Sequence, residues 1–508
     1  MWLYIISAIV VVLLSPILIG IFDYIRAVIG LKFYERQGLY VEYSPLGIFS
    51  MLSRHWPENS KTSNMERLKA LSRKYRDKKA VAMKRIDAPG INVLFFTEDF
   101  CKDYIAKEDN FNKSAFDSQA VKGTYGFFFD NGHQYAVSRS IFVRAFAYER
   151  LSSFAINAAD MIQREINKFI IKKGINKDAY TKVNIKDLFH IILEKVLNIF
   201  LLGQEEVEKL PSGESVYEAV HRMHDYLVSL RQSPLYLLIP ALCFKYELIK
   251  PVREKVKLEK ELMAHLNKLY RQREESGKFG DCAMDMIIQH NRQCKETGNM
   301  DEYMNEREFY GTINVFQFAG TDTSLNLVTN VLCQMASKPE LQDIFEQINK
   351  QIFDEKGNIV KESIETNPNL NEWMMECLRI CNPSTRISQR VAKKDCEING
   401  IKIRAGDAVT LSITAMNFNE EFYPKPEIFD PQRFKNLKDK NLPRYQYIPF
   451  GMGKRICLGR GLGELFSKLI LCLMCKSLQF RKPEDVEYYT FSATVNSELY
   501  PFFEVKTK

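Results

Sequence analysis

Residues Asn305–Ser337 form a run of about 33 residues with an apolar middle, closed by Pro339. Wound as a helix at about 1.5 Å per residue, the run would be near 50 Å long. Such a helix crosses a whole domain, so the fold must be built around it. From about Glu149 to Phe353 the pattern is almost wholly helical, with Pro251 in the first turn of an amphipathic segment, Val252–Glu275. Strands are short and lie towards the two ends. Ala80–Ile86 and Ile91–Thr97 flank the turn-forming Asp87-Ala88-Pro89-Gly90 and read as a hairpin. A short helix around Glu372–Cys381 precedes strand-like stretches at Glu397–Ile403 and Ala408–Ile413, and helix resumes after Cys457 before closing strands. The reading is a mainly α protein with small β-sheets, and 53–508 forms one domain without internal repeat or linker.

Ahead of that domain, Trp2–Phe22 contains 21 residues without a charge, enough as a helix to cross about 30 Å of hydrocarbon. A cleaved signal peptide is the rival reading. The run exceeds the usual apolar core of such peptides, no Lys or Arg precedes it, and no small-x-small cleavage site follows. Residues 2–22 therefore read as a permanent single-pass anchor and 23–52 as a linker. Arg26, Lys32 and Arg36 follow the span, which places the large domain in the cytosol. Eleven scattered cysteines agree with a reducing compartment. The sequon Asn112-Lys113-Ser114 then faces the wrong side for glycosylation. The charge balance, 71 − 63 = +8, is mild, and no basic run interleaves with aromatics, so no nucleic-acid partner is expected.

Most chemical motifs are absent. There is no phosphate-binding G-x-x-x-x-G-K-S/T loop and no H-E-x-x-H zinc motif. Gly459-Arg460-Gly461-Leu462-Gly463 has Glu464 where a dinucleotide fingerprint needs its third glycine. His221 and His224 lie three apart on a helix with no third ligand nearby, and read as surface residues. Cys472-x-x-Cys475 falls in the apolar LILCLMC and suits a core better than redox work. Phe450-Gly451-Met452-Gly453-Lys454-Arg455-Ile456-Cys457-Leu458-Gly459 is different. A thiolate ligand needs donors and positive charge around its sulfur, and a helix beginning after Cys457 offers free N–H groups. Glycines at 451, 453 and 459 let backbone approach a flat ligand.

This decapeptide resembles the haem-binding loop of the cytochrome P450 superfamily, F-x-x-G-x-[RK]-x-C-x-G, at every fixed position. Three further blocks occur in the family's order and spacing: Ala319-Gly320-Thr321-Asp322-Thr323-Ser324 in the long helix, Glu376-Cys377-Leu378-Arg379, and Phe429-Asp430-Pro431-Gln432-Arg433-Phe434. The resemblance covers the chain from about residue 55 to its end. It implies the cytochrome P450 fold behind one transmembrane helix, haem b as cofactor, and Cys457 as the axial thiolate, flanked by Phe450 and Gly451. In the long helix it implies that Gly320 eases packing over the distal haem face. There Thr323 offers its hydroxyl for oxygen activation, and Asp322 relays protons. Glu376, Arg379 and Arg433 would form a buried structural charge network. Arg455, Arg390 and Arg139 would serve the propionates. Tyr135 stands in Tyr135-x-x-x-Arg139 where the family usually has Trp, Gln432 stands where many members have an acid, and the usual proline-rich hinge is reduced to Pro45.

By the same resemblance the substrate pocket draws on Phe116, Phe127, Phe316 and Ala319, and suits a lipophilic guest. Leu235–Phe244 is either a membrane-dipping segment or a buried loop. The implied activity is a monooxygenase inserting one oxygen atom from O2 into a lipophilic small molecule. Its location is the endoplasmic reticulum membrane, its electron source a separate NADPH-dependent flavoprotein reductase docking on Lys435, Lys438, Lys440 and Lys454. The alternatives are an isomerase or dehydratase on this fold, which needs no reductase, and a haem-binding sensor without turnover.

Overall fold

Asn305 begins the long helix by accepting the backbone N–H groups of Arg307 and Glu308, each at 3.0 Å, while the Glu308 carboxylate accepts the N–H of Asn305 at 2.9 Å. This reciprocal capping box satisfies donors that a helix start otherwise leaves orphaned. The helix runs Glu306–Ser337, 32 residues, or about 48 Å. It stops at Lys338, where the following proline disfavours helical backbone.

The computed structural model describes residues 21–22, 24–42, 70, 73–74, 79–84, 90–113, 126–233, 235–236, 240–435, 445–486 and 502–508. The uncharged run at 2–20, residues 23 and 43–52 of the 23–52 linker, the hairpin turn 85–89, Phe116, the side chain of Phe127, Lys438 and Lys440 lie outside these residues. Among the described residues no helix is long and apolar enough to cross a membrane. The amino-terminal half contains α1 (24–35), β1 (Tyr40–Glu42), β2 (Ala80–Lys84), β3 (Ile91–Phe95), α2 (Asp99–Ala106), β4 (Phe111–Lys113), α3 (Gly132–Ala145), α4 (Tyr148–Lys173), β5 (Thr181–Asn184), α5 (Lys186–Leu202) and α6 (Val216–Gln232). Helices α7 (Pro240–Lys245), α8 (Lys250–Ser276), α9 (Ala283–Thr297), α10 (Glu306–Ser337), α11 (Pro339–Asn349), α12 (Lys361–Thr366) and α13 (Pro368–Ile380) follow. The chain then forms β6 (Arg390–Ala392), β7 (Cys396–Ile398), β8 (Ile401–Ile403), β9 (Ala408–Leu411), α14 (Ile413–Asn417), α15 (Arg460–Ser477), β10 (Leu478–Arg481) and β11 (Phe502–Thr507).

These elements fall into two compact units. The first comprises Met1–Lys122, Arg222–Leu258 and Arg386–Met416. It holds a six-stranded sheet in the order β1-β2-β3-β9-β6-β4. The anticipated hairpin is there, Ala80 opposite Phe95 and Lys84 opposite Ile91. The stretch expected as one strand at Glu397–Ile403 is a hairpin, β7 and β8, turned by Asn399 and Gly400 at φ 51° and 77°, the left-handed pair that a two-residue loop requires. Asp407 ties α1 to the sheet by accepting the Tyr34 hydroxyl at 2.8 Å, the Arg404 guanidinium at 2.8 Å and the N–H of Ile91 at 2.7 Å. Burial and the Asp407 charge push the Tyr34 phenol well above its ordinary pKa. Within Leu235–Phe244, Leu235 and Leu242 are exposed while Tyr236 and Cys243 are buried, so the segment is neither wholly a buried loop nor wholly open.

The second unit comprises Gly123–His221, Glu259–Thr385 and Asn417–Lys508. Its core forms where α10 packs on α5 and α15, and α15 on α4. A small antiparallel sheet, β10-β11-β5, closes one side. Glu376 and Arg379 sit one turn apart on α13 with no exposed side-chain surface, joined by two parallel bonds of 2.7 Å. Arg379 also donates to the carbonyls of Asn417 and Ile428, at 2.8 and 3.3 Å. The Glu376 carboxylate also accepts the N–H of Asp430 at 2.8 Å and pairs with Arg433 at 3.4 Å. Arg433 donates in turn to the carbonyls of Pro424 and Lys425. The pair thus pins 417–433 to α13. Replacing Glu376 by Ala leaves a guanidinium buried without its carboxylate. The expected loss is about 3–5 kcal/mol of stability, read from the denaturant midpoint, with Glu376→Ala/Arg379→Met less impaired than Glu376→Ala alone.

Candidate functional site

The loop before α15 is shaped by two glycines in left-handed backbone, Gly451 at φ 77° and Gly453 at φ 69°, a conformation other residues adopt only at a cost. The loop closes on itself where the N–H of Cys457 bonds the carbonyl of Phe450 at 2.9 Å. Helix α15 starts at Arg460, so Cys457 lies three residues ahead of its first turn. All eleven cysteines are described, and Cys457 is the exposed one: nine are buried and Cys396 is intermediate. Burial raises the Cys475 thiol to about 12 and holds the Cys472 thiol well above its ordinary value, so the C-x-x-C pair is core, as its apolar helix suggests.

Two anchors position this loop. Behind it, the Tyr447 hydroxyl donates to the carbonyl of Met375 at 3.1 Å, and Asn382 donates to that of Pro449 at 3.3 Å. On another side stands α3. There the Tyr135 hydroxyl donates to the carbonyl of Lys454 at 3.0 Å and accepts from Arg139 at 3.1 Å, while Arg139 donates to the carbonyl of Ile456 at 3.1 Å. The Arg455 guanidinium lies over the Tyr135 ring, 3.7 Å from its centroid, within range of a cation–π attraction. It also donates to the carbonyl of Asp130 and to the Asn131 side chain. Tyr135, Arg139, Arg455 and Cys457 are therefore one assembly. Arg390 belongs to the first unit, where it donates to the Tyr104 hydroxyl at 3.1 Å and to the carbonyl of Ser388 at 2.9 Å.

Sequence reasoning missed Phe146. A Cβ placed on Gly459 would stand 3.9 Å from both the Cys457 sulfur and the Phe146 ring. Phe146 also packs 5.3 Å from Phe316 on α10, and Phe142 packs 4.9 Å from the same ring. These aromatics run from beside the thiol loop to the long helix. No local pattern marks them, because they meet only in the tertiary fold.

Helix α10 is mostly buried, yet Phe316 and Ala319 are partly exposed and Thr323 is exposed. At spacings of three and four residues these share one face. Ala319 and Thr323 are joined by a bond: the Thr323 hydroxyl donates to the Ala319 carbonyl at 2.7 Å, the ordinary i−4 arrangement of a helical threonine. A Cβ on Gly320 would meet Leu197 of α5 at 3.0 Å, so the missing side chain lets the two helices approach. Asp322 does not pair with Thr323. Its carboxylate lies 3.6 Å from Nδ1 of His221, a residue read from sequence as surface.

The donor set fits a haem. One exposed thiol lies among buried ones, and two guanidiniums stand within the same assembly. Glycines lower the loop beside the sulfur, and the aromatic cluster supplies apolar walls. A family model described as Cytochrome P450 matches residues 55–495. Among curated proteins the chain is 26% identical to probable cytochrome P450 6w1 of Drosophila melanogaster over 59% of this chain and 60% of that protein. It is 25% identical to cytochrome P450 6l1 of Blattella germanica, over 71% and 69% respectively. With cytochrome P450 3A16 of Mus musculus the identity is 28%, over 36% of each. The aligned part thus spans from about a third to about seven tenths of these relatives' lengths.

The Tyr135 bonds give a test of the assembly. Tyr135→Phe removes a donor to Lys454 and an acceptor for Arg139, at an expected cost of about 1 kcal/mol in denaturant unfolding. Tyr135→Trp should not recover it, because indole donates but cannot accept from Arg139.

Proposed function

Because the chain belongs to the cytochrome P450 family, whose cofactor is haem b, we propose that it is a membrane-anchored haem-thiolate monooxygenase. It inserts one oxygen atom from O2 into a lipophilic small molecule, with electrons from a separate NADPH-dependent flavoprotein reductase. The observation that carries this reading is Cys457, the exposed cysteine, set on a glycine-shaped loop that α3 and α13 hold from separate sides. When bound, haem supplies oxygen activation, and a thiolate ligand favours cleavage of the O–O bond.

The protein's own groups have distinct tasks. Cys457 binds the iron, with Phe450 and Gly451 shaping its loop. Arg455 and Arg139 neutralise propionates next to Tyr135, and Arg390 is assigned the same task by its family position. Phe142, Phe146 and Phe316 exclude water. Thr323 presents its hydroxyl on the exposed face of α10, where an oxygen engaged as donor to Ala319 keeps acceptor capacity. Asp322 passes protons towards that face. Substrate meets Phe316 and Ala319, with Phe116 and Phe127 assigned by resemblance. The haem domain is 53–508.

Residues 2–22 form the anchor, with the catalytic domain in the cytosol on the endoplasmic reticulum. In support, Ile21, Ile25 and Ile29 expose an apolar stripe at four-residue spacing, and Arg26, Lys32 and Arg36 follow the span. Lysines 435, 438, 440 and 454 provide the basic face for the reductase.

The decisive measurement is the absorbance spectrum of the reduced protein with carbon monoxide. Wild type should give a strongly red-shifted Soret band that Cys457→Ser lacks. A wild-type band of the histidine type in folded protein would overturn the assignment. With reductase and a turned-over substrate, Thr323→Ala should lower the product formed per electron consumed. Unaltered coupling would remove Thr323 from the mechanism. Substrate-dependent consumption of NADPH separates this reading from both an isomerase and a sensor.

A further inference from the structure

Segment 23–52 reads from sequence as a linker, yet its described part, 24–42, is fastened to the first unit at successive points. Helix α1 turns Ala27, Gly30, Leu31 and Tyr34 inward, all buried, a spacing of three and four residues that defines one helical face. Gly30 is demanded by the close approach: a Cβ there would meet the Arg404 guanidinium and the Ile91 side chain, each at 2.8 Å. The same guanidinium lies 5.0 Å from the centroid of the Phe33 ring. The Tyr34 hydroxyl donates to Asp407, which Arg404 also holds. Next, the Gln37 side chain exchanges two bonds with the backbone of Lys402, at 2.8 and 3.2 Å. Strand β1 then pairs in parallel with β2, Tyr40 opposite Val81.

The opposite face of α1 changes character along its length. Ile21, Ile25 and Ile29 are 51, 49 and 59% exposed, and Phe22 beside them 64%. Lys32 and Arg36, also exposed, continue the same stripe at three- and four-residue spacing. Residues 21–22 are helical and end the uncharged run 2–22. Isoleucines followed by cations on one stripe suit a lipid boundary, with apolar side chains among acyl chains and cations among anionic headgroups. A protein partner calls for an apolar centre ringed by polar groups, whereas this stripe is apolar at one end and continuous there with the uncharged run. Tyr34 stands five residues past Ile29, about 7.5 Å along the helix, so its bond to Asp407 lies just beyond the level where the stripe turns basic.

We propose that α1 is a strut seated in the headgroup layer of an anionic membrane, and that Gly30, Tyr34 and Gln37 fasten it so that the first unit cannot swivel on its anchor. The inference rests on the reading of 2–22 as that anchor. A unit held this way presents one fixed side to the membrane, which a unit on a slack linker does not.

The test uses the full chain on vesicles of phosphatidylcholine with phosphatidylserine, carrying a fluorophore on a noncanonical residue so that the native cysteines are untouched. In place of Ile25 or Ile29 the probe should be quenched by lipids brominated in their acyl chains, and in place of Arg36 it should not. Unquenched probes at both isoleucines overturn the membrane seat. In place of Glu397, exposed on β7 of the same unit, the probe should keep a high residual anisotropy, since vesicles tumble slowly and a fastened unit adds no motion of its own. Gly30→Leu drives a side chain against Arg404 and Ile91 and should lose most of that anisotropy; Tyr34→Phe should lose part of it. A wild-type anisotropy that decays to zero overturns the fastening without recourse to any variant, and so does a Gly30→Leu decay that overlays wild type. Failure of the wild type to float with the vesicles overturns the anchor and the strut together, whereas flotation with unquenched probes overturns the strut alone. Each variant is compared only when its carbon monoxide spectrum keeps the full thiolate band.

Discussion

The bidentate pair of Glu376 and Arg379 is the constraint from which the thiol loop hangs. Both ions are removed from water, so the fold must offer each of them a full set of partners. It does so with backbone: carbonyls of Asn417 and Ile428 for the guanidinium, and the N–H of Asp430 for the carboxylate. Asn417 ends α14, and Ile428 and Asp430 lie on the chain between α14 and the loop. Satisfying the ions therefore dictates the path of that connection. The same helix, α13, then reaches the loop directly through Met375, and Asn382 just beyond its end does the same. A charge network without contact to any reacting atom thereby decides where Cys457 is presented.

The α3 side is a second, independent constraint, and here a substitution changes the physics. An indole at position 135 would have one donor and no acceptor. The phenol has both, and it uses them to join Arg139 to the carbonyl of Lys454. Arg455 stacks on the same ring. The loop is thus clamped by the protein's own groups, and the guanidiniums are oriented by bonds to carbonyls before any anionic partner is considered.

What was legible in the sequence was local or contiguous. Asn305 and Pro339 bound the long helix to within a residue of the run read from its apolar pattern, since caps and proline act on their immediate neighbours. The decapeptide around Cys457 was readable because its glycines and cysteine are consecutive. Helix α13 begins earlier than its apolar pattern suggested, at the Asn367-Pro368 start signal. Strand β5, four residues of mixed polarity, was invisible because its pairing partner β11 lies more than 300 residues away. Phe146 and His221 were hidden for the same reason. Each acquires its meaning from a partner on another element, Phe316 for one and Asp322 for the other.

Adjacency in sequence is not a shared face. Asp322 and Thr323 read as an acid–alcohol pair because they are neighbours, but consecutive helical residues point about 100° apart. Thr323 shares its face with Phe316 and Ala319, whereas Asp322 lies on the side where Phe318 meets His221. An acid and an alcohol arranged this way cannot both bond one small group directly without a side chain swinging around the helix or a water spanning the gap. Both side chains are partly or fully exposed, so water has room to do so. The helix therefore sets the carboxylate and the hydroxyl on different faces.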